Sequence, residues 1–279
     1  MVVDDGSLPA LKQPPYDDVR LLRQQHGGAS AARNAAIAVA RGRCVWFFDA
    51  DDVVVVEHYE RLLEVLRALP DDADLLHTGP MTRVDRLSEA PSLPAPLSSS
   101  TLRTTASSIM VPRSACLDHT TYIISRAFLV AHPTLRYPER RSLLEDATFI
   151  LLLLDRATGV YANDSLRPYC ICSAASSVTS GKWSSEQCTQ WIPDIVCFLS
   201  ALRSFADSHH DFPCVDALFR RYCYLYLRVL AVKGCPWHLL AAFRQQLIAK
   251  GYSPRGLKEH LLFNRMTLFV LSALCRLLR

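Results

Sequence analysis

Several familiar signatures are missing from this sequence. It contains no Cys-x-x-Cys pair, no Gly-x-Ser-x-Gly, no Walker-type phosphate loop and no His-Glu-x-x-His. Paired-cysteine sites, the serine-hydrolase elbow, P-loop chemistry and the zincin metal site therefore have no motif to rest on. Excess charge is also lacking: 31 Lys and Arg stand against 27 Asp and Glu, a formal +4, too little to suggest a nucleic-acid binder. The start, Met-Val-Val-Asp-Asp-Gly-Ser, has neither the basic nor the apolar region of a secretory signal. The longest apolar stretch near the end, Met266 to Cys275, is broken by Arg276 and is half of a ~20-residue membrane span. Ten cysteines in 279 residues are sparse and irregularly spaced, which suggests buried thiols in a reducing cytosol rather than a disulfide framework.

What is present is ordinary for a globular protein. Half of the residues are apolar, 21% are charged, and the mean hydropathy is +0.10. The length suits one large domain, or one domain with an appendage. Charge is uneven only at the end: from Lys250 to Arg279 six basic residues face one acid, Glu259, giving that tail +5 and the rest −1.

The periodicities then order the elements. Met1 to Val3 predicts a buried strand end entering a turn at Asp4-Asp5-Gly6, and Val19 to Leu22 a second short strand. Ser30 is placed to N-cap a helix reaching Arg41, with Gly27-Gly28 as its entry and Gly42 at its stop. Cys44 to Phe48 predicts a buried strand ending in the carboxylates Asp49, Asp51 and Asp52. A helix at Glu57 to Ala68 carries an apolar stripe of Tyr59, Leu62, Leu63, Leu66 and Leu69. Ala73 to Thr78 is a strand, and Ser88 to Ser108, rich in Ser, Thr and Pro, is a loop or insertion. Helices at Ser125 to Ala131 and Glu145 to Arg156 precede a strand at Val160 to Ala162; Phe149 to Leu154 is apolar all round. From Trp183 the chain is helical in period, with breaks near Phe212-Pro213, Gly234 to Pro236 and Ser253-Pro254. Alternating strands and helices imply an α/β domain with a largely parallel sheet, followed by a helical region.

Four features can carry chemistry, each with a plainer reading beside it. Asp49-Ala50-Asp51-Asp52 at a strand end suits a hard divalent ion such as Mg²⁺ or Mn²⁺, or is a solvated turn before the next helix. Gly27 to Asn34 is a helix entry whose free N–H groups, with Arg33, can receive an anion; alternatively it is a tight turn with Arg33 in solvent. Asp4 and Asp5 can accept from a ribose or a base edge, or merely open a turn. Glu145 and Asp146 can supply a general base, or compensate the dipole of the helix they open. None of the nine histidines stands at metal-ligand spacing from another ligand.

Taken in order, Val-Val-Asp-Asp-Gly-Ser, Gly-Gly-Ala-Ser-Ala-Ala-Arg-Asn, Val-Trp-Phe-Phe-Asp-Ala-Asp-Asp and Leu-Leu-Glu-Asp-Ala-Thr-Phe resemble the family 2 glycosyltransferases of GT-A fold. Tyr122 to Leu129, Leu135 to Pro138 and Ser177-Val-Thr179 add to the likeness. The resemblance implies a GT-A-like, mostly parallel sheet with flanking helices over residues 1–180, and a helical, basic-tailed region over 181–279. It implies that Asp4 or Asp5 meets the nucleotide, that Arg33 lines its pocket, and that Asp49 and Asp51 hold nucleotide-sugar and metal, Asp51 making the metal contact. Asp146 would be the base, oriented by Glu145. The implied reaction is an inverting, metal-dependent transfer from a nucleotide-sugar, with a UDP-sugar the expected donor, to a glycan or lipid-linked acceptor in surface polysaccharide synthesis. The expected setting is cytoplasmic and peripheral to the membrane, with Leu261, Leu262, Phe263, Leu268, Phe269, Leu271 and Leu274 in residues 255–279 facing the leaflet.

The pattern also has departures. Family members begin with a strand, a Pro-x-Tyr-Asn-like turn and a helix before Asp-Asp-Gly-Ser, so the expectation is that this first unit is absent. Leu8-Pro9 replaces the usual Thr-Asp, and Cys172 to Ala175 stand where arginines are common. Two alternatives follow: a non-catalytic GT-A-like remnant or binding protein, and a nucleotidyltransferase sharing the fold and its acidic site.

Overall fold

The computed structural model describes residues 1–79, 81–84, 100–110, 117–172, 183–209 and 213–277, in two units: 1–140 with 145–177, and 141–144 with 178–279. Of the expected Ser88 to Ser108 loop, 88–99 lie outside the described residues, whereas Leu102–Thr104 is a strand and Ala106 opens a helix; Ser177-Val-Thr179 lies wholly outside the described residues.

In chain order the first unit begins β1 (Val2–Asp4), β2 (Leu21–Arg23), α1 (Ala29–Val39), β3 (Cys44–Trp46), β4 (Val53–Val54), α2 (Val56–Ala68) and β5 (Leu75–Thr78). It continues β6 (Thr82–Val84), β7 (Leu102–Thr104), α3 (Ala106–Met110), a 3-10 turn (His119–Thr121), β8 (Tyr122–Ser125), α4 (Arg126–Ala131), α5 (Glu145–Arg156), β9 (Val160–Asn163) and β10 (Tyr169–Cys172). The main sheet has five strands in the order β3-β8-β5-β9-β7. The smaller sheets are β1-β2, parallel, and β4-β10-β6.

The class is α/β as the alternation implied, but the main sheet is mixed rather than largely parallel. Only β5 and β9 run parallel in it; β8 is antiparallel to both β3 and β5, and β7 to β9. Helices α3, α4 and α5 lie in the chain between β5 and β9, a connection long enough for the crossover that their parallel pairing requires. In register, Trp46 faces Ile123 and Leu76 faces both Ile123 and Tyr161. The β8 residues Tyr122, Ile123 and Ile124 are buried, as expected of a central strand covered on both faces. Leu62 and Val65 of α2 pack on Leu76, Ile123, Tyr161 and Leu166. Of the predicted stripe, Leu62 lies in this core with Leu66 and Leu69 packed against it, whereas Tyr59 is exposed and Val65 joins from outside the predicted set.

One local expectation is corrected. Gly28, not Ser30, occupies the N-cap of α1, and its φ of 87° lies in the left-handed region that glycine tolerates. Ser30 falls inside the first turn, where its buried Oγ has no hydrogen-bond partner.

The second unit is helical: α6 (Ser185–Ser208), α7 (Pro213–Val232), α8 (Trp237–Ala249), α9 (Leu257–Phe263) and α10 (Arg265–Leu277). Ser184 starts α6 with a reciprocal capping box, accepting from Gln187 N while Gln187 Oε1 accepts from Ser184 N. Phe198, Leu202, Phe219, Leu227, Leu240 and Phe243 form much of its core. Leu262, Phe263 and Leu268, expected to face a leaflet, are buried there instead, because one face of α9 and α10 closes this core. Leu257, Leu261, Met266 and Phe269 remain exposed. Among the described residues no helix is long and apolar enough to cross a membrane. Among the described cysteines, Cys170, Cys188, Cys223 and Cys235 are buried.

Asp194 of α6 is 5% exposed and accepts from Arg141 Nη1 (2.9 Å), Ser142 N (2.9 Å) and Leu143 N (3.2 Å). Asp194→Ala strands two backbone donors and the guanidinium at once. A loss of about 3 kcal/mol in unfolding free energy is expected in urea denaturation. A change below about 0.5 kcal/mol would show that the bonds do not contribute.

Candidate active site

The entry to α1 is built by Asp5. Its Oδ1 accepts from Gln24 Nε2 (2.7 Å) and Gly27 N (2.9 Å), and its Oδ2 from Gly28 N (2.8 Å). Two of the backbone donors at this entry, Gly27 N and Gly28 N, are thus taken by the chain's own carboxylate, which sits where the helix dipole favours it. Burial raises the Asp5 pKa, but these donors outweigh it and hold the carboxyl below its ordinary range. Asp4 is fully buried and accepts from Ser7 N (2.8 Å) and Leu11 N (3.1 Å), with Arg23 Nη1 at 3.4 Å. The Ser7 amide is the main cause of its lowered pKa. Asp4 and Asp5 therefore form a network of their own that shapes the turn and the start of α1.

Arg33 joins the other predicted residues. One turn beyond Ser30, it donates through Nη2 to Asp49 Oδ1 (3.0 Å) and through Nη1 to Glu145 Oε1 (3.3 Å). Its guanidinium also lies 5.3 Å from the centre of the Tyr137 ring. Three segments that are far apart in sequence thus meet at one cation. Asn34, the next residue, fixes the Tyr137 segment reciprocally: it donates to Tyr137 O (3.0 Å) and accepts from Tyr137 N (2.8 Å).

The strand-end carboxylates divide. Burial pushes Asp49 up, but His119 and Arg33 outweigh it and hold the carboxyl well below the usual range. Asp51 is exposed. Asp52 accepts from the Tyr169 hydroxyl and from Cys172 N (2.9 Å), and burial leads the causes that raise its pKa. Asp49 is therefore firmly ionised, Asp51 is open to solvent, and Asp52 ties the β3 end to β10.

Asp146, in the first turn of α5, is pushed up to about 6, chiefly by burial. Glu145 beside it adds to the rise, and His119 opposes it. A carboxyl poised near neutrality is suited to taking up a proton.

His119 is the functional candidate that sequence reasoning missed. It is 3% exposed, and neither ring nitrogen has a hydrogen-bond partner. Nε2 lies 3.7 Å from Asp49 Oδ1 and Nδ1 lies 3.9 Å from Asp146 Oδ2, so the ring stands between the two acids. Asp118, His119 and Asp146 bring one ligand atom each within 4.8 Å of one another. The Tyr137 hydroxyl, also buried and unpartnered, belongs to the ring cluster of Phe47, His119 and Phe149. A rule that looks for ligands beyond the carboxyl ends of parallel strands passes over His119. Because β8 is antiparallel to β3, the residues before β8 lie at the edge where β3 ends.

This arrangement offers an exposed acid for a hard cation, a carboxyl able to hold a proton, and a fixed guanidinium. Its buried polar atoms without partners also suit a polar ligand. The fold is GT-A-like: 85% of the chain superposes on 76% of S. aureus TarS 1-349, a structure in complex with UDP-GlcNAc, with a TM-score of 0.51 and 16% identity. Residues 1–103 match the model of glycosyl transferase family 2. The chain is also similar to the uncharacterized glycosyltransferase YibD of Escherichia coli (strain K12), at 52% identity over 81 residues. That similarity spans 27% of this chain and 23% of YibD.

Proposed function

We propose that the chain is an inverting, divalent-metal-dependent glycosyltransferase. It would move a sugar from a nucleoside-diphosphate sugar to a hydroxyl of a glycan or lipid-linked acceptor in surface polysaccharide synthesis. The observation that carries this reading is the bridge by which Arg33 holds Asp49 and Glu145 together, with Asp146 adjoining. TarS, solved with UDP-GlcNAc, makes a UDP-sugar the first donor to try.

In this reading the acceptor hydroxyl gives its proton to Asp146 as its oxygen attacks the anomeric carbon. The bond from that carbon to the diphosphate oxygen breaks, and nucleoside diphosphate leaves from the opposite face. Asp51, with Asp49, would hold a Mg²⁺ or Mn²⁺ ion; both are ionisable oxygen donors of the kind such ions take, and Asp51 is open to solvent. When bound, that ion neutralises the charge developing on the departing diphosphate. Arg33 keeps Asp49 ionised and Glu145 in place beside the base. Asp4 and Asp5 shape the wall that meets the base or ribose. Residues 1–180 form the transfer domain. Residues 181–279 form a helical appendage whose exposed Leu257, Leu261, Met266 and Phe269 rest on the anionic inner leaflet.

Product analysis tests the reaction class. Incubation with UDP-sugars, Mn²⁺ and a mixture of glycan acceptors is expected to release nucleoside diphosphate. Pyrophosphate released from a triphosphate would instead identify a nucleotidyltransferase. Neither product, from a chain that binds no nucleotide, would leave a non-catalytic relative.

A further inference from the structure

The transfer reaction uses Asp49, Asp51 and Asp146 but gives no task to His119. A buried imidazole whose two nitrogens stand 3.7 and 3.9 Å from carboxylate oxygens, beyond hydrogen-bond distance, is costly unless something binds it. Asp118 and Asp146 stand next to it, and all three offer a ligand atom within 4.8 Å. Donors bound tetrahedrally to one ion at bonds of about 2.0–2.2 Å stand about 3.3–3.6 Å apart. The Nδ1 to Asp146 Oδ2 separation of 3.9 Å lies a few tenths of an ångström beyond that range, and the full set, within 4.8 Å, must close by up to about 1.5 Å as an ion binds.

The neighbours of the cluster supply what a metal-binding histidine needs. Such a histidine usually directs its second nitrogen at a carboxylate, which fixes the ring and its tautomer. Here Nε2 faces Asp49, and Asp49 is itself gripped by Arg33. Asp118 is equally fixed: its Oδ1 accepts from Thr120 N (2.9 Å) and Thr120 Oγ1 (2.7 Å).

We propose that Asp118, His119 and Asp146 form a second cation site, distinct from the Asp49 and Asp51 pair, that takes a borderline transition-metal ion such as Zn²⁺ and inhibits transfer by occupying the base. Imidazole selects against Mg²⁺ and Ca²⁺, which prefer all-oxygen sets, so the two sites differ in the metals they accept. The inhibitory part rests on the transferase reading; the binding part does not.

The test titrates Co²⁺ into untagged, metal-free full chain and follows its visible absorption, with Zn²⁺ as competitor. One Co²⁺ per chain, displaced by Zn²⁺, is expected. His119→Gln and Asp118→Asn should abolish the bands or weaken binding more than tenfold, whereas Asp51→Asn should leave them in place. Asp118→Asn keeps the Oδ1 acceptor that Thr120 uses, so it guards against a folding defect in the histidine variant; melting curves check both. Asp49→Asn, which removes the outer carboxylate, should weaken binding by about 10–100-fold. No Co²⁺ uptake, or uptake indifferent to His119 and Asp118, overturns the site. In turnover assays with Mn²⁺ present, Zn²⁺ should slow the wild type, and Asp118→Asn should need over tenfold more Zn²⁺ for the same fractional slowing. Zn²⁺ binding without slowing overturns the inhibitory part. No turnover even without Zn²⁺ counts against the transferase reading and leaves the Co²⁺ result standing alone.

Discussion

Replacing Asp146 by Asn is expected to lower the rate of sugar transfer by about 10²–10⁴-fold, the usual range for losing a general base. Donor binding should change little, because Asp146 acts on the acceptor proton. The same residue sets the pH profile. Its carboxyl is pushed up to about 6, first by burial, and only its ionised form accepts a proton. Turnover should therefore rise with pH through about 6 and level off above it, and the residual rate of the Asn variant should show no such step. The stability effect has the opposite sign. The folded chain holds the Asp146 proton more tightly than the unfolded chain does, so this group favours folding at low pH. That contribution falls as pH rises from 3.8 to about 6. Asp146→Asn should thus be at least as stable as the wild type at pH 7.5 while far less active. Single-turnover kinetics and urea melts at pH 5 and 7.5 check both parts. A variant that is inactive only because it is unfolded would contradict the role given to Asp146.

Arg33→Met has the second largest expected effect, because it removes one cation from two acids. Arg33 is 16% exposed and Glu145 18%, so their pairing is well shielded, whereas Asp49 at 40% is partly screened by water. A loss of about 2 kcal/mol is expected, below the 3–5 kcal/mol of a fully buried pair. Asp49 should then titrate closer to its ordinary range, since His119 would be the main remaining group opposing burial. Arg33→Lys keeps the charge but cannot bridge two carboxylates with one planar fork. It should recover most of the stability and little of the activity. Equal recovery of both would mean that Arg33 supplies charge alone. Adding Asp49→Asn to Arg33→Met should restore part of the lost stability, as a double-mutant cycle would show.

How much of this could be read in the sequence depended on the range of the interaction. Helix α5 begins at Glu145 and ends at Arg156 as its period and opening acids predicted, because a helix is set by neighbours three and four residues apart. The acids at the β3 end were legible for a similar reason: a short apolar run followed by three carboxylates is a local pattern. The partners of these residues were less visible. Arg33 read either as an anion ligand or as a solvent-facing cation, and its partners, Asp49 and Glu145, lie 16 and 112 residues away. Asp5 illustrates the converse, since Gly27 and Gly28 are 22 and 23 residues from the carboxylate that takes up their N–H groups. His119 was hidden by strand direction: only the antiparallel entry of β8 brings its start to the end of β3. Strands as short as β4, two residues, give no period to detect.

The most direct test of the account is calorimetric titration of UDP into the full chain with and without Mn²⁺, repeated on Asp51→Ala. The account predicts binding that Mn²⁺ strengthens in the wild type, and loss of that strengthening in Asp51→Ala with an unchanged melting temperature. UDP binding that is the same in both chains and indifferent to Mn²⁺ would contradict it.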